Sequence, residues 1–224
     1  MTNATIDYYQ HHHPLTRLRS HFALRARQRM FRTFMETLRP EPDAKVLDLG
    51  VTPDQLLPES NFFEALYPWK ERIVAASIED AQWLEGRYPG LRFVRIERGP
   101  LPFADNEFDI LFCSAVIEHV GDTASQRQLV AECLRVSRRF FMTTPNRQFP
   151  VDFHTYLPII HWLPQAWHQR LLQSLGMDFW ARTENLNLLT PNGFASLFPK
   201  VASLQVLTYT LFGLPSNIIL CGEK

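Results

Sequence analysis

Lys45-Val-Leu-Asp-Leu-Gly50 is a short apolar run ending in Asp-x-Gly. It reads as a buried strand that turns tightly into a nucleotide-binding loop, because glycine lets the backbone bend where a side chain forbids it. Loops of this kind usually carry two more glycines at alternate positions. Here those positions are Thr52 and Asp54, with Pro53 between them. Pro53 fixes φ, so the chain after Gly50 must take a different and stiffer path.

Outward from this run the pattern alternates. On the C-terminal side, Ser60–Tyr67 reads as a helix with Ser60 as its N-cap, and Ile73–Ile78 as a strand. Asp80–Tyr88 is helix-like and stops at Pro89-Gly90, and Leu91–Ile96 is strand-like. Phe108–Ser114 reads as a buried strand, Ala124–Val136 as a helix and Phe140–Thr144 as a fifth strand. Such alternation implies right-handed crossovers and a mostly parallel sheet covered on both faces. Leu204–Leu211 and Ile218–Cys221 are separated only by a tight turn, so they must pair antiparallel. The expectation is a Rossmann-like, doubly wound, seven-stranded α/β sheet with a C-terminal antiparallel hairpin.

On the N-terminal side, residues from about 14 to 38 have helical apolar spacing and six arginines, from Arg17 to Arg32. Two readings stand for the basic face: a solvated surface, or one facing phosphate or acidic lipid. Pro40 and Pro42 stop this helix. The division expected is a basic helical segment over 1–40, packed on an α/β domain over 41–224, with an aromatic helical insertion at about 149–182. That insertion, from Gln148 through Trp162, Trp167 and Trp180, is broken by three prolines. It reads as a lid over a nonpolar acceptor, an interfacial membrane contact, or a cap that completes the core.

Composition narrows the function classes. The 224 residues carry a formal net charge of zero, which argues against nucleic acid as a partner. Three cysteines at wide spacing, without a CxxC pair, argue against disulfide scaffolding and a cysteine zinc site, and favour a reduced cytoplasmic setting. No run approaches the roughly 18 apolar residues of a membrane span. His11-His12-His13, with no partner cysteines, reads as a polar loop rather than a metal site, so no metal is expected.

Three segments in order carry a resemblance. They are Val46-Leu-Asp-Leu-Gly50, then Leu101-Pro-Phe through Phe108-Asp109 to Glu118-His119-Val120, then Leu134-Arg-Val136 with Thr143-Thr-Pro-Asn146. Together they resemble the class I S-adenosylmethionine-dependent methyltransferases, of the type 11 kind, over residues 40 to 148. The resemblance implies S-adenosylmethionine as cofactor and a site at the carboxyl ends of the strands. It implies that Asp48 orients the loop or the cofactor's ammonium group and that Gly50 lets the backbone approach. Glu97 stands where an acid meets the adenine amino group, and Ser114 closes the fourth strand beside the crevice. The second strand usually ends in an acid that holds both ribose hydroxyls. Here that position is Ser77, with Glu79 able to substitute if the strand end is bulged. Thr52 belongs to the same cofactor set, and Asp54 either contacts the cofactor or caps the next helix.

Methyl transfer from a sulfonium is an in-line displacement that needs positioning, and a base only when the acceptor must lose a proton. The fourth strand ends in Cys113-Ser-Ala-Val116, unlike the Asn/Asp-Pro-Pro-aromatic run used on exocyclic base amines. His119, expected to open the helix after that strand, is the leading base candidate. His154 is the second, and Asp152 can orient it only if the backbone there is not a regular strand. Asp109 is expected to close a structural hydrogen bond.

The expected function is therefore methyl transfer from S-adenosylmethionine to a small or lipid-like acceptor, at oxygen or carbon, in a cytoplasmic protein with peripheral membrane contact open and oligomeric state unread. A degenerate member acting as a binding module stands beside it, and would fill the crevice with Pro53 or Asp54. A nucleotide-dependent oxidoreductase is a third reading, disfavoured by the terminal hairpin.

Overall fold

The computed structural model describes residues 16–224. The His11–His13 run and the first residues of the expected N-terminal helix lie outside the described residues.

The first helix, α1, spans Thr16–Leu38. Seven strands follow: β1 Val46–Leu49, β2 Ile73–Ser77, β3 Arg92–Arg95, β4 Phe108–Ser114, β5 Ser137–Pro145, β6 Ser203–Leu211 and β7 Leu214–Glu223. They form one sheet in the order β3-β2-β1-β4-β5-β7-β6. The first five are parallel, and β7 runs antiparallel between β5 and β6. This is the expected seven-stranded α/β sheet with its closing hairpin.

Alternation along each strand builds two cores, one on each face, as a sheet covered on both sides requires. Leu47, Leu111, Phe140 and Leu220 face one side, where helix α4 (Thr123–Val136) and the short helix Pro191–Ala195 lie. Val46, Phe112, Phe141 and Ile219 face the other, against α1 and α2 (Phe62–Leu66). There Phe34 of α1 sits edge-on to Phe63, Phe112 and Phe141 at 5.2–5.6 Å, geometry that suits aromatic quadrupoles. The Leu101-Pro-Phe motif is anchored by α4. Glu132 accepts from the Leu101 N–H at 2.7 Å, and Arg135 donates to the carbonyls of Leu101 and Phe103. Asp109 accepts from the Lys45 N–H at 2.9 Å, the structural bond expected of it.

Three local expectations need correction. Ser60 does not cap α2; Asn61 holds that position with φ 51°, and Ser60 Oγ has no hydrogen-bond partner among the described residues. The helix expected over Asp80–Tyr88 shortens to α3, Trp83–Arg87, because Asp80 folds back to accept from the Gln82 N–H. His119 does not open a helix. It closes a 3₁₀ turn, Ile117–His119, and Asp122 then caps α4 by accepting from Ser125 N–H at 2.9 Å.

Candidate active site

The sheet order reverses between β1 and β4, and the crevice beyond their carboxyl ends is where open α/β sheets bind ligands. Gly50 enters it with φ +102°, and a Cβ there would lie 2.1 Å from Val116 Cγ2. Both the backbone angle and the space therefore require glycine.

The residues after Gly50 resolve the missing glycines. Neither Thr52 nor Asp54 has positive φ, so neither position needs glycine in this path. The loop is held instead by Asn61. Its Oδ1 accepts from Thr52 N–H at 2.8 Å, and its Nδ2 donates to the carbonyls of Thr52 at 2.9 Å and Asp54 at 3.4 Å. Asn61 reaches back in this way because it adopts the left-handed region that asparagine tolerates. Asp54 accepts from the N–H groups of Leu56 and Leu57, so it organises its own turn rather than α2.

One cavity of about 500 Å³ runs from this loop into the body of the protein. Gly50, Thr52, Ser77, Glu79 and Ser114 line the end nearest this loop, whereas Pro53 and Asp54 do not. Strand β2 stops at Ser77, whose hydroxyl accepts from the Glu79 N–H at 3.2 Å and turns the chain. Glu79 thereby meets the wall, and burial pushes its carboxyl pKa up. Ser114 shares a 2.9 Å hydrogen bond with Thr143 on β5. Ala115 beside it has φ 57°, backbone strain of the kind that gathers at functional sites. Glu97 is exposed beyond β3 and does not line the cavity.

Asp48 lies behind Gly50, in a smaller recess lined also by Arg27 and Asn61. It is buried next to Glu64 of α2, neither of whose oxygens receives a donor from a described residue. Burial first, then the neighbouring Glu64 carboxyl, drives the Asp48 pKa up, opposed by Arg27. Glu64 is also raised, by burial.

At the far end, Glu118, His119, His154 and Trp180 converge. His119 Nδ1 lies 2.7 Å from the Asn185 carbonyl, which can only accept, so the proton is on Nδ1. Its pKa is lowered by burial, against the pull of Glu118. His154 sits in a turn closed by the Tyr156 N–H to Asp152 carbonyl bond, not in a strand. The condition for its pairing with Asp152 is met: Nδ1 lies 2.9 Å from Asp152 Oδ1, which also accepts from the His154 N–H. Burial lowers the His154 pKa, but the hydrogen bond and charge of Asp152, with Glu118, outweigh it and the net shift is upward. The two imidazoles meet edge to face at 5.0 Å, with Trp180 5.2 Å from His154. Asn187 donates to the Glu118 carbonyl and to Gly121, so the Thr183–Asn187 run braces this end.

Most sites singled out in the sequence meet here, from Gly50 to His154; Glu97, Pro53 and Asp54 do not. Sequence reasoning missed Asn61, Glu64, Glu118 as a site residue, and Arg27. Only Glu118 had a signal, as part of Glu118-His119.

The class defined by this sheet order and crevice is the class I methyltransferase fold. A family model described as a methyltransferase domain matches residues 63–139, about a third of the chain. A protein of Pyrococcus horikoshii is similar in structure, with 15% identity, a TM-score of 0.56, and 97% of this chain and 95% of that chain covered. A methyltransferase of Thermotoga maritima, described as a possible histamine N-methyltransferase, gives 14% identity and a TM-score of 0.55, over 92% of each chain. A S-adenosylmethionine-dependent methyltransferase of Methanosarcina mazei gives 14% and 0.51, over 81% of this chain and 93% of that one. No curated protein matches the chain. Together these likenesses show the class I methyltransferase fold, with a methyltransferase-domain match within it over residues 63–139.

Among the described residues no helix is long and apolar enough to cross a membrane.

Proposed function

We propose that this protein transfers a methyl group from S-adenosylmethionine to a small acceptor with an apolar body, at an oxygen or carbon presented to Glu118, His119 and His154. The observation that carries this reading is the continuity of the cavity. One space joins the Gly50 loop to the two histidines, lined in between by Met30, Val151, Phe153 and Tyr209.

In this reading Gly50, Thr52, Asp48 and Ser114 hold the methionine end of the cofactor, and Glu79 with Ser77 holds the ribose. The aromatic wall excludes water, which leaves the displacement to positioning. For a hydroxyl acceptor, the oxygen pair forms the new O–CH3 bond as the methyl–sulfur bond breaks. The electrons of the broken methyl–sulfur bond would stay on sulfur, giving S-adenosylhomocysteine, and the acceptor proton would pass to an imidazole Nε2. With Nδ1–H given to Asn185, His119 has its lone pair on Nε2; Asp152 would stabilise a protonated His154 in the same role. Glu97, exposed outside the wall, has no place in this cofactor set. The binding-module alternative loses its main support because Pro53 and Asp54 leave the crevice open.

Isothermal titration with S-adenosylhomocysteine tests the cofactor half. Absence of binding at millimolar ligand would overturn it. A lipid-like acceptor at a membrane surface fits the apolar wall and the exposed Trp162 and Trp167, and vesicle flotation checks it.

A further inference from the structure

Glu118 is wholly buried, and its two carboxylate oxygens differ in their surroundings. Oε2 accepts from the Thr144 hydroxyl at 3.0 Å, whereas Oε1 has no hydrogen-bond partner among the described residues. A buried carboxylate oxygen left without a donor is costly, more so than a neutral group. Oε1 lies 3.9 Å from His119 Nε2. Asp152 takes the Nδ1–H of His154, which leaves that ring its Nε2 to offer. The three ligating atoms of Glu118, His119 and His154 all lie within 4.8 Å of one another.

We propose that Glu118 Oε1, His119 Nε2 and His154 Nε2 bind a divalent transition-metal ion of the zinc class, with its open positions turned to the cavity. Tetrahedral ligands at about 2.1 Å from zinc stand about 3.4 Å apart, so side-chain rotations of about 1 Å close the set. Two imidazoles and one carboxylate select this class of ion over magnesium or calcium, which prefer all-oxygen shells. The outer contacts are those a metal site requires. Each histidine gives its other nitrogen to a fixed acceptor, Asn185 carbonyl or Asp152 carboxylate, and Glu118 is oriented by Thr144. Three protein ligands leave room for water or an acceptor oxygen, the arrangement of an open site.

The binding itself stands apart from the methyltransferase reading; its chemical consequence rests on that reading. With the ion bound, an acceptor hydroxyl would enter as its alkoxide, its proton passing to solvent, and the rings would serve as ligands instead of bases.

The test uses full-length protein stripped with a chelator, with His11, His12 and His13 replaced by alanine so that this run contributes no site. Co²⁺ alone is titrated and followed by its visible d–d absorption, and Zn²⁺ alone by calorimetry. One equivalent should bind per chain. Glu118→Gln, which keeps the Thr144 contact, and His154→Gln should each weaken binding at least about tenfold. Asp152→Asn, which touches no metal, should weaken it about 10- to 100-fold and provides a second measure if a ligand variant fails to fold. Absence of stoichiometric binding, or binding unchanged in the folded variants, overturns the proposal. S-adenosylhomocysteine is titrated into the same samples. Cofactor binding without metal binding sinks the metal site alone, and metal binding without cofactor binding sinks the methyltransferase reading alone.

Discussion

Replacing Asn61 tests whether its side chain does the work of the missing glycines. Asn61→Gly removes three hydrogen bonds to the Thr52–Asp54 loop while relieving the strain of φ 51°. Three bonds at about 1 kcal/mol each would cost about 3 kcal/mol, and release of left-handed strain returns about 1, for a net loss of about 2. Asn61→Ala loses the same bonds and keeps the strain, so its loss should be about 3 kcal/mol. The order is the diagnostic: alanine worse than glycine, both worse than wild type. Urea unfolding followed by circular dichroism reads the stability difference. The loop also lines the crevice, so S-adenosylhomocysteine should bind about tenfold or more weakly to Asn61→Gly, the equivalent of about 1.4 kcal/mol. A glycine variant as stable as wild type, with unchanged ligand affinity, would refute the idea that Asn61 organises this loop.

Three further perturbations probe the rest of the cavity. Gly50→Ala should cost about 2–5 kcal/mol, from positive φ and from the Val116 clash, and Val116→Ala in the same chain should restore only the clash part in a double-mutant cycle. Asp48 and Glu64 both have folded pKa values above their ordinary ones, so the native state holds protons that the unfolded chain releases. Stability must then fall as pH rises from about 4 through the folded pKa values, and the urea midpoint of Glu64→Gln should fall less steeply than that of wild type. His119→Gln should lower methyl transfer while leaving S-adenosylhomocysteine affinity nearly unchanged, and equal turnover in a coupled assay would assign His119 a structural role.

Elements with strict periodicity were legible: β1 and β4 begin and end where their apolar runs do. Short helices were not. Asp80 folds back onto the Gln82 N–H, and Asn61 rather than Ser60 takes the start of α2 with a positive φ that a residue string does not carry. The Gly50 end of the cavity was largely legible because its residues sit in contiguous motifs at strand ends, and Ser77 and Glu79, reached by counting along β2, lie on the cavity wall. Glu97 is exposed and does not line the cavity. Counting along β3 gives a residue's distance from the strand end, not the direction of the chain after it. His119 and His154 were each visible, but their meeting was not. It depends on a turn at Asp152–Tyr156 folding a segment after β5 onto the turn after β4.

The two ends of the cavity thus depart from the expected pattern in different ways, and the difference bears on function. At the cofactor end a glycine-free loop keeps its path because positive φ has moved from the loop to Asn61, which repays the change with three bonds. That substitution preserves an opening, since nothing from Pro53 or Asp54 enters the crevice. A fold retained only as scaffolding has no need to hold such a void open, because filling it with side chains would add packing. At the acceptor end the opposite holds. A buried Glu118 oxygen has no donor among the described residues, which lowers stability, and the sheet does not need it. A cost of this kind on the wall of an open cavity is what a site that acts on a ligand carries.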